Sequence, residues 1–195
     1  MPVHPRISVH SLCFGNATLE QAFKLWRGLG VRRVSVMSTL ASENPVALRA
    51  AIDRDALAIE TIGHLLMPGQ HLSPDESTWA APRAALSRLI DLAAMLGSRS
   101  ICLVTGGHGG LEWEAAAEVF AAIIAPCVEQ ARQAGVRLAV ENCTPLHADI
   151  TITHSVADTV TLAQLAGIGV VIDVFAGWTE AGRSEEHTSE LQSPC

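Results

Sequence analysis

Short runs of β-branched and other apolar residues alternate along the chain with longer amphipathic runs. The longer runs predict helices, because their apolar residues recur at helical intervals on one face. The short runs predict six strands, at residues 6–13, 32–37, 57–63, 100–105, 137–142 and 169–174. Strands that are apolar almost throughout, with helices between them, are typical of a parallel sheet covered on both sides.

Start and stop signals support the predicted helices. Two residue pairs have the spacing of a capping box, Thr18 with Gln21 and Ser155 with Asp158. Asn44 and Ser73 each precede a proline that can take the first helical position, the latter opening a long helix near 75–96. Glycines follow four helical runs at positions where a left-handed residue can end a helix: Gly30, Gly97, Gly135 and Gly167.

The spacing of these elements predicts the fold class. Successive strands begin roughly 25–45 residues apart, which is the pace of a (β/α)8 barrel of about 250 residues. We therefore predict an α/β fold of the TIM-barrel type that is incomplete, with about six βα units. A doubly wound open sheet is the alternative, but no glycine-rich nucleotide-binding motif follows the first strand.

The periodic pattern stops after Gly182. We predict one domain, a partial barrel at residues 1–182, followed by the segment "RSEEHTSELQSPC" at 183–195. Its first eleven residues resemble the conceptual translation of a widely used sequencing-adapter oligonucleotide. We therefore interpret residues 183–195 as a non-native, disordered tail on a truncated gene fragment, and leave them out of the fold prediction.

Composition excludes several classes of protein. The net charge is −7 and the thirteen Lys and Arg residues are scattered, which argues against a nucleic-acid partner. No long uncharged apolar run predicts a membrane span, and no signal peptide is visible, so a cytoplasmic location is expected. The only lysine, Lys24, falls in a predicted amphipathic helix, which disfavours Schiff-base chemistry.

Polar residues recur where the predicted strands end, which is where (β/α)8 barrels carry their active sites. Glu141 and Asp173 end adjacent strands, so their carboxylates can converge and share either a proton or a cation. Oxygen ligands joined by a histidine suit Mn²⁺, Mg²⁺, Co²⁺ or Zn²⁺. Each carboxylate could instead cap a following helix or pair with an arginine.

Four further residues are candidates for binding a substrate: His64, His108, Asn142 and Trp178. Trp178 could form an apolar wall against a sugar ring, although core packing is equally compatible with its position. Histidines in loops are often only solvated. The segment "GGHGG" at 106–110 could be a mobile loop over the pocket or a flexible connection.

The motif "RLAVEN" followed by "GVVIDV" resembles the sugar phosphate isomerase/epimerase family, the xylose-isomerase-like barrels, and the resemblance covers about residues 6–180. It implies that Glu141 and Asp173 bind a divalent metal. In the family a His from a seventh strand and a Glu from an eighth strand complete the ligand set, so the resemblance implies that both of these strands are missing here. His64 resembles a family pocket position more loosely. Many members carry a histidine where this chain has Ala176.

The resemblance implies an enzyme in the intact parent, an isomerase or epimerase of a sugar or related hydroxy-ketone. The metal would chelate the substrate and stabilise an enediolate, while Glu141 transfers the carbon-bound proton. It also allows the parent to assemble as a homo-oligomer. A non-catalytic or remnant sugar- or metal-binding barrel is one alternative, and an AP-endonuclease-like phosphodiesterase, which the acidic balance disfavours, is another. The chain as given is expected to be inactive and to express poorly, because its edge strands would lack partners.

Overall fold

The computed structural model describes residues 3–178 and residue 180. Strands and helices alternate in the order β1 Ser8–His10, α1 Leu19–Leu29, β2 Arg33–Met37, α2 Ser38–Glu43, α3 Pro45–Asp55, β3 Ala58–Leu65, α4 Ala80–Leu96, β4 Ser100–Val104, α5 Trp113–Gln133, β5 Arg137–Glu141, α6 Val156–Ala166, β6 Gly169–Val171 and α7 Val174–Trp178. The predicted boundary at residue 182 and the predicted tail at 183–195 lie outside the described residues.

The six strands form one parallel sheet in the order β1-β2-β3-β4-β5-β6. Each strand pairs with the next one along the chain, as in a (β/α)8 barrel, whereas a doubly wound sheet changes direction at a switch point. The α/β fold of the TIM-barrel type is therefore confirmed. The barrel is incomplete, because β1 and β6 form the two edges of the sheet within the described part of the chain.

Most of the predicted local signals act as expected. Thr18 and Gln21 form a reciprocal capping box at the start of α1, and the Asn44 side chain caps α3. The long helix begins later than predicted, because the Ser73 hydroxyl accepts a hydrogen bond from the Asp75 amide and Asp75 caps a short 3-10 turn instead. As a result α4 starts at residue 80.

The core lies between the sheet and the helices. The largest fully buried side chain, Trp26 of α1, donates its indole N–H to the Val9 carbonyl oxygen of β1 at 3.1 Å. On α4, apolar residues at helical intervals form one buried face: Leu86, Leu89, Ile90, Ala93 and Leu96. Within the described residues, no helix is both long and apolar enough to cross a membrane.

Strand β6 is shorter than the predicted 169–174. It ends at Val171 because the Asp173 amide bonds to the Asn142 side chain and the Asp173 carboxylate then accepts the Phe175 amide. These bonds turn the chain into α7. The apolar residues around this turn are not covered, and Ile172 is 48% exposed.

Candidate active site

Glu141 is the last residue of β5 and is half-buried. Its Oε2 atom lies 3.6 Å from the Cys102 thiol, which donates a weak hydrogen bond. Burial raises the pKa of Glu141 above its ordinary value, and the negative charge of Asp173 adds to the rise, while the thiol acts in the opposite direction. The carboxyl group of Glu141 is thus held where its charged form is poorly stabilised.

Asp173 follows β6 directly, at the same edge of the sheet as Glu141. Glu141 pairs in register with Val171, so Asp173 lies two residues beyond that pair. Its Oδ1 atom accepts the Phe175 amide at 2.8 Å and so starts the short helix α7. The helix-capping role that the sequence left open is therefore present, and Asp173 also places its charge close enough to influence Glu141.

The Asn142 side chain bridges the two strand ends. Its Oδ1 atom accepts the Asp173 amide at 2.7 Å and its Nδ2 atom donates to the Asp173 carbonyl oxygen at 3.2 Å. Asn142 is only 1% exposed. Because both amide atoms bind backbone, Asn142 fixes the position of Asp173, and its predicted contact with substrate stays a prediction.

The two carboxylates fit a divalent cation in their chemistry but provide only part of a ligand set. Oxygen donors that repel each other in the absence of a cation are those that a hard divalent metal binds. The charges of Glu141 and Asp173 also act on a neighbour, because burial and then these two charges raise the pKa of the Cys143 thiol to about 11. Among the described residues, no group of three or more His, Cys, Asp or Glu side chains is arranged to hold a metal.

His64 lies on the other face of the sheet from Glu141. Gly63 pairs in register with Cys102, the residue that contacts Glu141, and side chains alternate along a strand, so His64 points to the opposite face. There its Nδ1 atom is 2.9 Å from the Ser38 hydroxyl, its Nε2 atom is buried with no hydrogen-bond partner among the described residues, and burial lowers its pKa to about 4. Its predicted contact with substrate stays a prediction that this placement does not favour.

Gly63 was not singled out from the sequence, and it lies on the same face of the sheet as His10. A side-chain carbon on Gly63 would lie 3.0 Å from the Met37 sulfur and 3.5 Å from His10 Nε2. Gly63 therefore leaves the room that these two side chains fill at the ends of β1 and β2. Gly63 ends the predicted strand at 57–63 but lies inside the observed β3, where an isolated glycine marks a close approach of neighbouring groups.

His108 and Trp178 are both exposed side chains. His108 is exposed, with Nδ1 3.0 Å from the Leu111 carbonyl oxygen, and it lines a cleft of about 330 Å³ with Trp113 and His154. Trp178 ends α7 and is 71% exposed. Trp178 is therefore not packed into a core among the described residues, and the roles of both residues toward a substrate stay predictions.

Six parallel βα units with acidic side chains at the carboxyl ends of β5 and β6 define a protein of the TIM-barrel class. Residues 15–193 match the model of one family, described as the xylose isomerase-like TIM barrel, and the chain belongs to that family. The match runs into the segment 183–195, for which the adapter interpretation stays a prediction. A search of curated proteins finds no match.

Solved structures share the fold over most of this chain. Protein SMc04130 from Sinorhizobium meliloti 1021 has a TM-score of 0.75 at 23% identity, covering 90% of this chain and 65% of that one. An L-ribulose 3-epimerase has a TM-score of 0.74 at 20% identity, covering 92% and 64%. The IOLI protein, whose structure holds a zinc atom, has a TM-score of 0.72 at 13% identity, covering 95% and 68%.

The chain therefore spans about 65% of the length of the Sinorhizobium protein and 64% of the epimerase. Identities this low show a shared fold and not a shared reaction. Further matched structures bear the names of a D-psicose 3-epimerase, a probable dehydratase and an AP endonuclease, so that several reactions occur on this fold.

Proposed function

We propose that the intact protein to which this chain belongs is a divalent-metal-dependent isomerase or epimerase of a sugar or a related hydroxy-ketone. The observation that carries the proposal is that Glu141 at the end of β5 and Asp173, two residues after β6, lie at one edge of the sheet, where the charge of Asp173 adds to the rise that burial causes in the pKa of Glu141. Membership of the xylose isomerase-like family and the likeness to sugar epimerases support it.

Glu141 is the proposed proton-transfer group. A carboxylate with a raised pKa is a stronger base than an ordinary one, and it can therefore take a proton from a carbon next to a carbonyl and return it. Isomerisation and epimerisation use this same step and differ in where the proton returns. Asp173, held by Asn142, is proposed as the second oxygen ligand.

A divalent metal held by Glu141 and Asp173 would supply Lewis acidity that favours the negative charge on the substrate oxygens. The two ligands alone make a weak site, so we propose that further ligands come from residues outside the described part. Zinc, as in the IOLI protein, is one of the four metals that the donor set suits.

Hydrogen exchange at carbon tests the proposal directly. The chain, extended by whatever coding sequence follows codon 182 in independently read source DNA, is incubated in D₂O with L-ribulose, D-psicose or D-fructose and each of Mn²⁺, Mg²⁺, Co²⁺ and Zn²⁺. We expect deuterium at the carbon next to the carbonyl, seen by NMR. The 195-residue chain in parallel should show none.

Glu141→Gln removes the proposed base at nearly constant volume. It should slow deuterium incorporation by at least about a hundredfold, the usual size of a general-base contribution. Glu118→Gln changes the same residue type at an exposed position on α5 and should leave the rate unchanged. Exchange that survives Glu141→Gln, or that survives metal removal by a chelator, would refute the proposal.

A non-catalytic binding barrel is the second candidate. It is favoured by Ala176, which stands where many members have a histidine and is 3% exposed within α7. Metal content separates the two candidates: an extended protein that binds sugar without metal, and shows no exchange at carbon, would be a binding protein.

A further inference from the structure

Three threonines next to the candidate site have no exposed surface. Thr105 follows β4, while Thr151 and Thr153 belong to the connection between β5 and α6, and each is 0% exposed. A buried hydroxyl without a hydrogen bond destabilises a fold, so each of these three hydroxyls needs a partner. The proposed reaction uses none of the three.

The three hydroxyls form a continuous chain that ends on Glu141. The Thr105 and Thr151 oxygens are 3.2 Å apart, and the Thr151 and Thr153 oxygens are 2.7 Å apart. The Thr153 hydroxyl then donates to the carbonyl oxygen of Glu141 at 2.6 Å. This chain connects two loops at the carboxyl end of the sheet.

The direction of the chain follows from counting protons, since each hydroxyl has one. Thr153 donates its proton to Glu141, so the contact of 2.7 Å requires Thr151 to donate to Thr153. Thr105 in turn shares its proton between the Gly106 carbonyl oxygen at 2.9 Å and the Thr151 hydroxyl at 3.2 Å. Hydrogen bonds that point the same way along a buried chain strengthen one another.

Backbone amides hold both ends of this chain in place. The Ile152 amide donates to the Thr105 hydroxyl at 3.0 Å, and the Cys143 amide donates to the Thr153 carbonyl oxygen at 2.8 Å. The backbone that leaves Glu141 is therefore held to residue 153 at two points, one from a side chain and one from the main chain.

We propose that Thr105, Thr151 and Thr153 are positioning residues that fix the backbone of Glu141 and thereby aim its carboxylate toward Asp173. Glu141 is the last residue of β5, and the Thr153 hydroxyl holds its carbonyl oxygen at the point where the strand ends. The catalytic meaning of this role rests on the proposed function, whereas the positioning itself is a property of the fold.

Two variants of Thr153 distinguish the effect of losing its hydroxyl group from the effect of changing its side-chain volume. Thr153→Val removes the hydroxyl and keeps the volume, while Thr153→Ser keeps the hydroxyl and loses a methyl group. Thr159→Val is the matched control, because Thr159 is also 0% exposed and also donates to a backbone carbonyl, that of Ser155, at 2.6 Å. The 195-residue chain is labelled with ¹³C at the glutamate side-chain carboxyl carbon, and the resonance of Glu141 is followed by NMR.

We expect Thr153→Val to move the Glu141 resonance, Thr153→Ser to restore its wild-type position, and Thr159→Val to leave it in place. Thr105→Val should also move the Glu141 resonance. Added to a protein that already carries Thr153→Val, it should cause no further movement, because the hydrogen-bond chain to Glu141 is already broken. In Thr105→Val the Ile152 amide should exchange with solvent about tenfold faster, as one lost hydrogen bond implies.

A Glu141 resonance that is unchanged in Thr153→Val, or that moves equally in Thr159→Val, would overturn the proposal. Thr153→Ser keeps the test decisive if Thr153→Val does not fold. Failure of the proposed function would look different, because the NMR result would stand while exchange at the substrate carbon was absent.

Discussion

At the scale of single residues, burial shifts the acid–base groups of this protein in opposite directions. Glu141 has a raised pKa and His64 has a lowered one, and loss of solvation is the largest cause of both. The reason is the same, since a poorly solvated group avoids its charged form, which is the anion of Glu141 and the cation of His64. Glu141 thereby becomes a better base, while His64 stays neutral.

His64 predicts how stability depends on pH. Its pKa is about 4 in the folded chain, below the ordinary 6.5, so the unfolded chain binds more protons between these values. The contribution of neutral, buried His64 to the free energy of unfolding is fully present above about pH 6.5. The free energy of unfolding should therefore fall by about 2–3 kcal/mol as the pH drops to 4. Urea unfolding at low protein concentration, from pH 7 to pH 4, measures this loss.

His64→Asn removes the titrating group and should flatten the fall in stability. His4→Asn changes an exposed histidine and should leave the pH dependence of the wild type intact. If the free energy of unfolding falls equally with pH in the wild type and in His64→Asn, His64 is not the group that causes the fall.

At the scale of elements, the loop "GGHGG" after β4 is a packed junction at its start. Gly106 and Gly107 are buried, the Gly106 amide donates to the Ile150 carbonyl oxygen, and the Gly107 carbonyl accepts the Leu72 amide at 2.8 Å. These bonds join three loops beside the threonine chain. The sequence allowed a mobile cover or a flexible connection for this loop, and the packing at Gly106 and Gly107 favours neither for its first two residues.

Two glycines of this loop should respond differently to the same substitution. A Cβ atom on Gly107 would lie 2.7 Å from the Asp149 carbonyl oxygen, whereas one on Gly110 would meet nothing within 4 Å. Gly107→Ala should therefore lower the free energy of unfolding by about 1–3 kcal/mol, as overpacking does. Gly110→Ala is the control and should change it by less than about 1 kcal/mol. Equal effects in urea unfolding would contradict the packed junction.

At the scale of the whole molecule, the described sheet has an apolar edge beside β6. Its side chains are between 36% and 74% exposed: Val170, Ile172, Val174, Phe175 and Trp178. Contiguous apolar surface next to an open strand edge favours association with other chains. We therefore predict that this edge promotes aggregation of the 195-residue chain, and poor expression of the chain stays a prediction.

Charging this edge should reduce self-association. Ile172→Lys combined with Val174→Lys places two positive charges on the edge, and sedimentation velocity should show at least about a tenfold weaker association, or about 1.4 kcal/mol. The control is Val46→Lys with Leu146→Lys, which changes two apolar residues that are 79% and 88% exposed elsewhere. A wild type that stays monomeric at high concentration, or a control that acts equally, would argue against the edge as the cause.

The order and type of the elements were predictable from the sequence, because the signals that encode them act over a few residues. The alternation of apolar runs, the capping box at Thr18 and the proline after Asn44 operate within one or two helical turns. The two acidic strand ends were predictable for the same reason, since a parallel sheet brings the ends of adjacent strands together. The prediction that the long helix starts just after Ser73 was wrong, because the Ser73 hydroxyl accepts the Asp75 amide and forms a local turn instead.

The tertiary structure alone decided what those side chains contact. Thr105 meets Thr151 across 46 residues, and Asn142 holds Asp173 across 31. Neither contact can be predicted from the local sequence pattern. The face of the sheet on which His64 lies likewise depends on the register of β3 against β4. The sequence by itself determined a barrel of βα units with Glu141 and Asp173 at one edge. Long-range hydrogen bonds decided how those two carboxylates are held, because bonds of this kind form only when distant loops pack together.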